Sequence, residues 1–229
     1  MSMTSSSSFF VPGGHVQPSS PEVLAHIERR WEGLTQRIEA KLLTLQGIDQ
    51  RQEWRLLDQA AKASTAAKRV MWLRRAAASI TEGAAPLAAC QKGCSHCCHI
   101  AVMISRTEAQ VIAKETGARM NPLAGKFNMA NADDDGGAGF KNATKEAFGK
   151  PCTFLKDGGC GAYASRPLQC RLLLNMDEDA LLCQLVDGGT INVPYLNTQS
   201  FQMDSVVILG ARQDYDDIRN WFPEPVDMR

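Results

Sequence analysis

The chain of 229 residues lacks an excess of charge, because 25 lysines and arginines balance 25 aspartates and glutamates. This balance gives no electrostatic reason to expect binding to nucleic acid or to an acidic membrane surface. No run of about 18 apolar residues is present, so we expect no membrane-spanning helix. The first 20 residues lack the basic start and apolar core of an export signal, so we expect a cytoplasmic protein.

Common catalytic motifs are also missing. The sequence contains no G-x-G-x-x-G, no P-loop, no G-x-S-x-G and no H-E-x-x-H. The aspartates and glycines at 133–137 lack the alternation of an EF-hand calcium loop, so we expect a solvated loop there. These absences leave the cysteines as the main chemical feature of the chain.

The N-terminal third is predicted to be helical. Residues 1–20 are rich in Ser, Gly and Pro, which predicts a disordered tail. A helical hairpin is predicted over residues 21–83. In the first helix, apolar residues recur every three or four positions from a cap at Ser20 to a stop at Gly47. The same spacing begins again at Asp49 and predicts the second helix. The spacing is close to a heptad, so the hairpin is also a candidate surface for a protein partner, although packing onto its own domain is favoured.

Residues 84–229 predict a small irregular, cysteine-rich metal-binding domain with short helices and little strand, and the fold as a whole is predicted to be mainly α. Ile100–Ile104 suggests a strand or an extended lead-in. Ser105 and Glu108 form a capping-box pattern for a short helix that stops at Gly117.

The rest of this domain is predicted from turn and cap signals. Residues 118–149 are expected to be loop. Asp157-Gly158-Gly159 predicts a turn. Ser165 with Pro167 predicts the start of a helix that carries Cys170. A final helix is predicted to start at Asp214 or Tyr215.

All eight cysteines fall between residues 90 and 183, and four of them lie within nine residues. Scattered core cysteines would not cluster in this way, and a cytosolic redox poise does not favour disulfides. The cluster therefore predicts a thiolate-rich site for a soft metal, zinc or iron, with the core of the domain at 90–183. The predicted ligands are Cys90, Cys94, Cys97, Cys98, Cys152, Cys160, Cys170 and Cys183.

Cys97 and Cys98 are adjacent, so they point in different directions on most backbones. We therefore expect two metal sites, a polynuclear cluster, or one cysteine outside the ligand set. Cys90 to Cys98 fit either one face of a helix or, because of Gly93, a turn. Zinc and an iron–sulfur cluster are equally compatible with the spacing.

Four residues beside the cysteines are candidates for supporting roles. We expect His96 and His99 to be exposed or to support the ligands, rather than to be ligands themselves. Arg166 and Arg171 flank Cys170, where they are either ordinary surface arginines or a source of positive charge that offsets the thiolates.

The cysteine pattern resembles a known family. Five features are similar to the YkgJ-like cysteine-cluster family. They are C-x3-C-x2-C-C at 90–98, I-S-R-T-E-A at 104–109, P-C-x-F-L at 151–155, C-G-A-Y-A-S-R-P-L-Q-C-R at 160–171 and a last cysteine at 183. The resemblance implies a zinc- or iron-chelating domain. The bacterial flagellin lysine N-methylase carries a similar cluster.

Three hypotheses follow for function. The first is a metal-binding protein whose zinc or iron stabilises a small helical domain. The second is an enzyme, either a redox protein or a lysine N-methylase-like protein, that uses an iron–sulfur cluster; the lack of a recognisable glycine loop for S-adenosylmethionine weighs against it. The third is an interaction module in which residues 21–83 engage a partner. We favour the first.

Overall fold

The computed structural model describes residues 16–17, 20–47, 51–91, 93–125, 127–128, 138–187, 191–210 and 212–224. Of these residues, 58% are helical and 9% lie in strands, which confirms the predicted mainly α class. The described helices are α1 (Pro21–Trp31), α2 (Leu34–Gln46), α3 (Arg51–Lys62), α4 (Ala66–Ala84), α5 (Arg106–Thr116), α6 (Ala138–Ala147), α7 (Leu168–Leu172), α8 (Gln199–Leu209) and α9 (Ile218–Trp221). The described strands are β1 (Val16–Gln17), β2 (Met103–Ser105), β3 (Phe127–Asn128), β4 (Leu155–Lys156), β5 (Gly159–Cys160), β6 (Leu185–Val186) and β7 (Asp214–Asp217).

The two long helices predicted within 21–83 are each divided, and this detail of the prediction is wrong. Ser20 caps α1 as expected, but Gly33 at φ 69° separates α1 from α2. Thr65 accepts a hydrogen bond from the Lys68 amide and starts α4 as a new helix after α3. Gly47 ends α2 as predicted, while the predicted start at Asp49 lies outside the described residues.

The first two helices pack against the C-terminal part of the cysteine-rich segment. Ile27 and Leu34 form a buried cluster with Leu182 and Val186. The parallel pairing of β1 with β6 joins the same region and places two residues of the predicted tail in a strand. The other residues of the tail, except Ser20, lie outside the described part of the chain. The proposed division into domains at residues 20 and 83 stays a prediction.

The cysteine-rich segment contains two small antiparallel sheets. β7 lies between β2 and β3, with Ile104 opposite Asp216 and Phe127 opposite Tyr215. β4 and β5 form a hairpin, which confirms the turn predicted between them. The turn residues Asp157 and Gly158 have φ 50° and φ 74°. Two successive left-handed residues match the right-handed twist of the flanking strands, which is why Asp-Gly suits this position.

Two predictions in this segment are corrected. Within the expected loop 118–149, the described residues include β3 and α6, while 133–137 lies outside them. The final helix starts at Ile218 and not at Asp214 or Tyr215, because 214–217 forms strand β7, which pairs with β2 and β3, and Asp217 then caps α9. Tertiary pairing has overridden the local helical pattern.

The capping box and the helix stop around α5 are confirmed. The Ser105 side chain accepts from the Glu108 amide, Glu108 accepts from the Ser105 amide, and Gly117 ends the helix at φ 74°. Glu108 also accepts a hydrogen bond from the Leu168 amide at 3.1 Å, which ties the start of α7 to α5. The helix that carries Cys170 is therefore held by a buried side chain.

Two buried apolar clusters form the main core. The first includes Val102, Ile104, Ile112, Phe154, Ile218, Trp221 and Phe222, so the last helix packs into the core. The second joins α3, α4, α7 and α8 through Leu57, Val70, Leu73, Leu168, Leu172, Phe201 and Leu209. Cys152, Cys160 and Cys170 pack against the first cluster, so the apolar core sets the position of three thiols.

Candidate metal centre

The first four cysteines lie on a turn followed by a short 3-10 helix, which decides between the two backbones that the spacing allowed. Gly93 has φ 90°, and the Cys94 amide bonds to the Gln91 carbonyl at 3.0 Å. His96–His99 then forms the 3-10 helix. Because such a helix has about three residues per turn, the Cα–Cβ bonds of Cys97 and Cys98 diverge, although the two side chains still share a hydrogen bond.

The other four cysteines come from four separate elements. Cys152 precedes β4, and its amide donates to the Cys98 carbonyl at 2.7 Å. Cys160 lies in β5, Cys170 in α7 and Cys183 in a 3-10 turn. All eight cysteines belong to the described part of the chain, and each is a free thiol.

Four of the thiols form what we call the first thiol group. Its members are Cys90, Cys94, Cys97 and Cys183. Cys90 and Cys183 are joined through Asn175, whose amide nitrogen lies 3.4 Å from the Cys90 sulfur and whose Nδ2 lies 3.3 Å from the Cys183 sulfur. Burial raises the pKa of Cys183, and the neighbouring charges of Cys90, Cys94 and Cys97 raise it further.

The remaining thiols form the second thiol group. Its members are Cys98, Cys152, Cys160 and Cys170. Burial raises the pKa of Cys170 well above its ordinary value, and repulsion from Cys97, Cys152 and Cys160 adds to the effect. Burial likewise raises the pKa of Cys152 to about 11, with a smaller contribution from Cys160.

Cys97 and Cys98 connect the two groups. Their side chains share a hydrogen bond, which lowers the pKa of Cys97 and raises the pKa of Cys98. Repulsion from the charge of Cys97 also raises the pKa of both Cys160 and Cys170. The eight thiols therefore surround the adjacent pair, and Cys97 lies close to members of both groups.

Backbone N–H groups point at three of the sulfurs in the same local geometry. The Cys94, Cys152 and Cys160 sulfurs accept hydrogen bonds from the amides of His96, Phe154 and Ala162, each two residues further along the chain. Each bond lowers the pKa of its thiol against the opposing effect of burial, because the N–H dipole stabilises the thiolate. Hydrogen bonds of this kind support metal-bound thiolates.

Arg166 supplies positive charge next to both thiol groups. Its charge lowers the pKa of Cys90 and Cys97 in the first group and of Cys160 and Cys170 in the second. The guanidinium carbon of Arg166 lies 3.7 Å from the centre of the Tyr163 ring.

Arg171 has two roles. Its charge lowers the pKa of Cys160, and its Nε donates to the Arg166 carbonyl at 2.8 Å, so it also fixes the backbone of the turn before α7. Of the two roles weighed for these arginines, charge compensation therefore fits both.

His96 and His99 are both buried, with 3% and 5% of their surface exposed, so of the two expected alternatives the exposed one is wrong and a supporting role stays a prediction. The short 3-10 helix turns both rings inward, and Nδ1 of His99 lies 3.1 Å from the Ser95 carbonyl oxygen. Burial, reinforced by the charge of His99, lowers the pKa of His96.

Three polar residues beside the thiols were missed by the sequence analysis. Asn175 contacts two sulfurs, Asp177 anchors the segment that follows it, and the Arg219 guanidinium donates to the Cys98 carbonyl at 2.9 Å. Isolated polar residues produce no periodic signal, and each of the three has a partner 85 to 147 residues away in the sequence.

Among the described residues, no three or more His, Cys, Asp or Glu side chains are arranged so that they could hold a metal ion together without rearrangement. Most of the thiols have raised pKa values, so binding a cation requires their deprotonation and rotation about χ1. The donor set nevertheless fits a soft metal: four sulfurs in each group, N–H donors aimed at sulfur, and a neighbouring guanidinium.

Comparison with known proteins agrees with the cysteine pattern. Residues 89–187 match the model of the CxxCxxCC family, described as a "putative zinc- or iron-chelating domain", which confirms the resemblance found in the sequence. The match covers both thiol groups and somewhat less than half of the chain. No curated protein and no solved structure matches the chain. None of the helices in the described residues has the length and apolar character needed to cross a membrane.

Proposed function

We propose that the protein binds zinc or iron through all eight cysteines, in two centres of four thiolates each. The observation that carries this proposal is that the eight thiols, drawn from distant parts of the chain, lie close enough to change one another's pKa. Four thiolates match the ligand number of a structural zinc ion and of an iron–sulfur cluster alike.

Each centre would draw its ligands from distant parts of the chain. The first thiol group joins the turn at Cys90–Cys97 to the 3-10 turn that ends at Cys183, and the second joins Cys98 to the β4–β5 hairpin and α7. A metal at either position would crosslink elements that the apolar core holds only in part. Structural metal sites of this kind contribute directly to folding free energy.

The test is anaerobic purification of the full chain, followed by metal analysis and a visible absorption spectrum of the same sample. We expect two metal centres per chain. Zinc gives a colourless sample, whereas iron with acid-labile sulfide gives a brown one. A correctly folded, anaerobically prepared protein that takes up neither metal would refute the proposal.

Cysteine variants test whether the two groups are separate centres. Cys183→Ser is expected to remove the metal of the first thiol group only, and Cys160→Ser that of the second only. Ser205→Ala on α8, where Ser205 donates to the Gln202 carbonyl, is a matched control that should retain both. Loss of all metal in either cysteine variant would contradict two independent centres and favour one polynuclear cluster.

The second candidate, an iron–sulfur redox or lysine N-methylase-like enzyme, is tested by the same spectrum. It requires the brown form, and a colourless preparation with stoichiometric zinc excludes it. The predicted protein partner of the N-terminal helices stays a hypothesis. Substitution of the exposed Leu43 and Trp54 by serine in the full chain tests it, since a partner that still binds this variant does not use these apolar side chains.

A further inference from the structure

The backbone amide and the side chain of Asn175 make four hydrogen bonds, and two of them go to the sulfurs of the first thiol group. Its backbone amide donates to the Cys90 sulfur at 3.4 Å, and its Nδ2 donates to the Cys183 sulfur at 3.3 Å and to the Asp179 carbonyl at 2.9 Å. Its Oδ1 accepts from the Asp177 amide at 2.9 Å. An amide side chain has two donor hydrogens and one acceptor oxygen, so every polar group of this buried side chain is in use.

The segment that follows Asn175 is held by the N-terminal helices. The fully buried carboxylate of Asp177 accepts hydrogen bonds from Arg30 at 2.9 and 3.0 Å and from Arg37 at 3.2 Å. Lys41 donates to the carbonyl oxygens of Met176 and Asp177 at 2.9 and 2.7 Å. Three cations of α1 and α2 thus converge on two residues.

These contacts form one continuous chain from the N-terminal helices to two sulfurs. Arg30 and Arg37 fix the Asp177 carboxylate, the Asp177 amide fixes the Asn175 side chain, and that side chain orients Cys183. The buried cluster of Ile27 and Leu34 with residues 182 and 186 reinforces the same junction. Cys90 and Cys183 come from segments far apart in sequence, so their approach depends on this junction.

We propose that Asn175 is a positioning residue for the first thiol group, and that helices α1 and α2 lock it in place through Asp177. The inference rests on the proposed metal-binding function and deepens it. N–H donors favour the thiolate over the thiol and hold each sulfur in one direction. Metal bound by the first thiol group should therefore leave more slowly while the helices are docked, whereas the second thiol group should be insensitive to them.

The experiment measures zinc release from the zinc-loaded full chain into excess chromogenic chelator. We expect two phases, and the phase that disappears in Cys183→Ser belongs to the first thiol group. Asn175→Ala should accelerate that phase about 10- to 100-fold and leave the other unchanged. Asn121→Ala is the matched control, since Asn121 also makes two side-chain hydrogen bonds but lies away from the thiols.

A spectroscopic measurement separates positioning from general loss of stability. In the cobalt-loaded protein, Asn175→Ala should alter the thiolate charge-transfer band of one ion and leave that of the other as in the parent chain. A uniform change in both bands would show that the substitution only weakens the fold, and would overturn the inference.

Arg37→Gln provides a milder perturbation in case Asn175→Ala does not fold. It removes one guanidinium from Asp177 at a side chain that is 20% exposed, and it should accelerate the same phase by a smaller factor. Wild-type rates in both phases for this variant would refute the locking role of the helices. If the unmodified chain binds no zinc or iron, the proposed function fails; if it binds two ions and both variants release them at wild-type rates, only this inference fails.

Discussion

Arg219→Gln is expected to destabilise the protein and to loosen the second thiol group. The Arg219 guanidinium pairs with the Asp217 carboxylate at 2.9 and 3.1 Å. It also donates to four carbonyl oxygens, those of Cys98, Ile100, Lys150 and Pro151, at 2.8 to 3.1 Å. One side chain thus joins α9 to the turn after Cys98 and to the segment before Cys152.

The expected cost follows from burial. Arg219 is 13% exposed and Asp217 is 4% exposed, so the carboxylate left behind would be desolvated. Breaking a buried ion pair by removing one partner costs about 3–5 kcal/mol. Asp217 keeps hydrogen bonds from the amides of Val102 and residue 219, and glutamine restores one donor, so we expect about 3 kcal/mol.

Urea unfolding of wild type, Arg219→Gln, Asp217→Asn and the double variant measures this cost and the coupling between the two residues. We expect the double variant to lose about 1–3 kcal/mol less than the sum of the single losses. Arg119→Gln, at an exposed position, is the control and should cost about 0.5 kcal/mol or less. Additive losses, or a cost of Arg219→Gln no larger than that of the control, would refute the reasoning.

Three further predictions concern stability. Leu73→Ala, at a fully buried position, should cost about 2–5 kcal/mol in urea unfolding, and a loss below about 1 kcal/mol would contradict the described core. Gly125→Ala should lower the melting temperature more than Gly158→Ala does. Both glycines have positive φ, but only at Gly125 would an added Cβ lie 2.6 Å from the Asp214 Cβ. Equal melting temperatures of the two variants would count against this backbone. Burial raises the pKa of Glu108 above its ordinary value of 4.5, so its stabilising contribution is complete below pH 4.5 and is lost as the pH rises through the folded pKa. The unfolding free energy of wild type minus that of Glu108→Gln should therefore fall as the pH rises, and a constant difference would show that Glu108 does not titrate in a buried site.

Local features of the fold were predictable because they depend on near neighbours in sequence. The capping box of Ser105 and Glu108 needs residues three apart, and the turn at Asp157-Gly158 needs two residues that tolerate positive φ. The division of the N-terminal helices was not predictable from apolar spacing alone. The hydrophobic stripe continues across Gly33, and the break there depends on a single left-handed residue.

The final helix shows how tertiary pairing overrode a local signal. Residues 214–217 precede an apolar helical pattern, yet the backbone of 215–217 pairs with β2, which lies more than 100 residues earlier in the chain.

By itself, the sequence predicted that the eight cysteines belong to one constellation, because their clustering and order need no knowledge of the fold. The adjacency of Cys97 and Cys98 even indicated that one tetrahedral site would not describe it. Only the tertiary structure decided which sulfurs lie together and which residues position them. Cys183 joins Cys90 through Asn175, and Asn175 is anchored by arginines more than 130 residues away. Contacts over such distances arise when the chain folds, and no spacing within the cysteine motif encodes them.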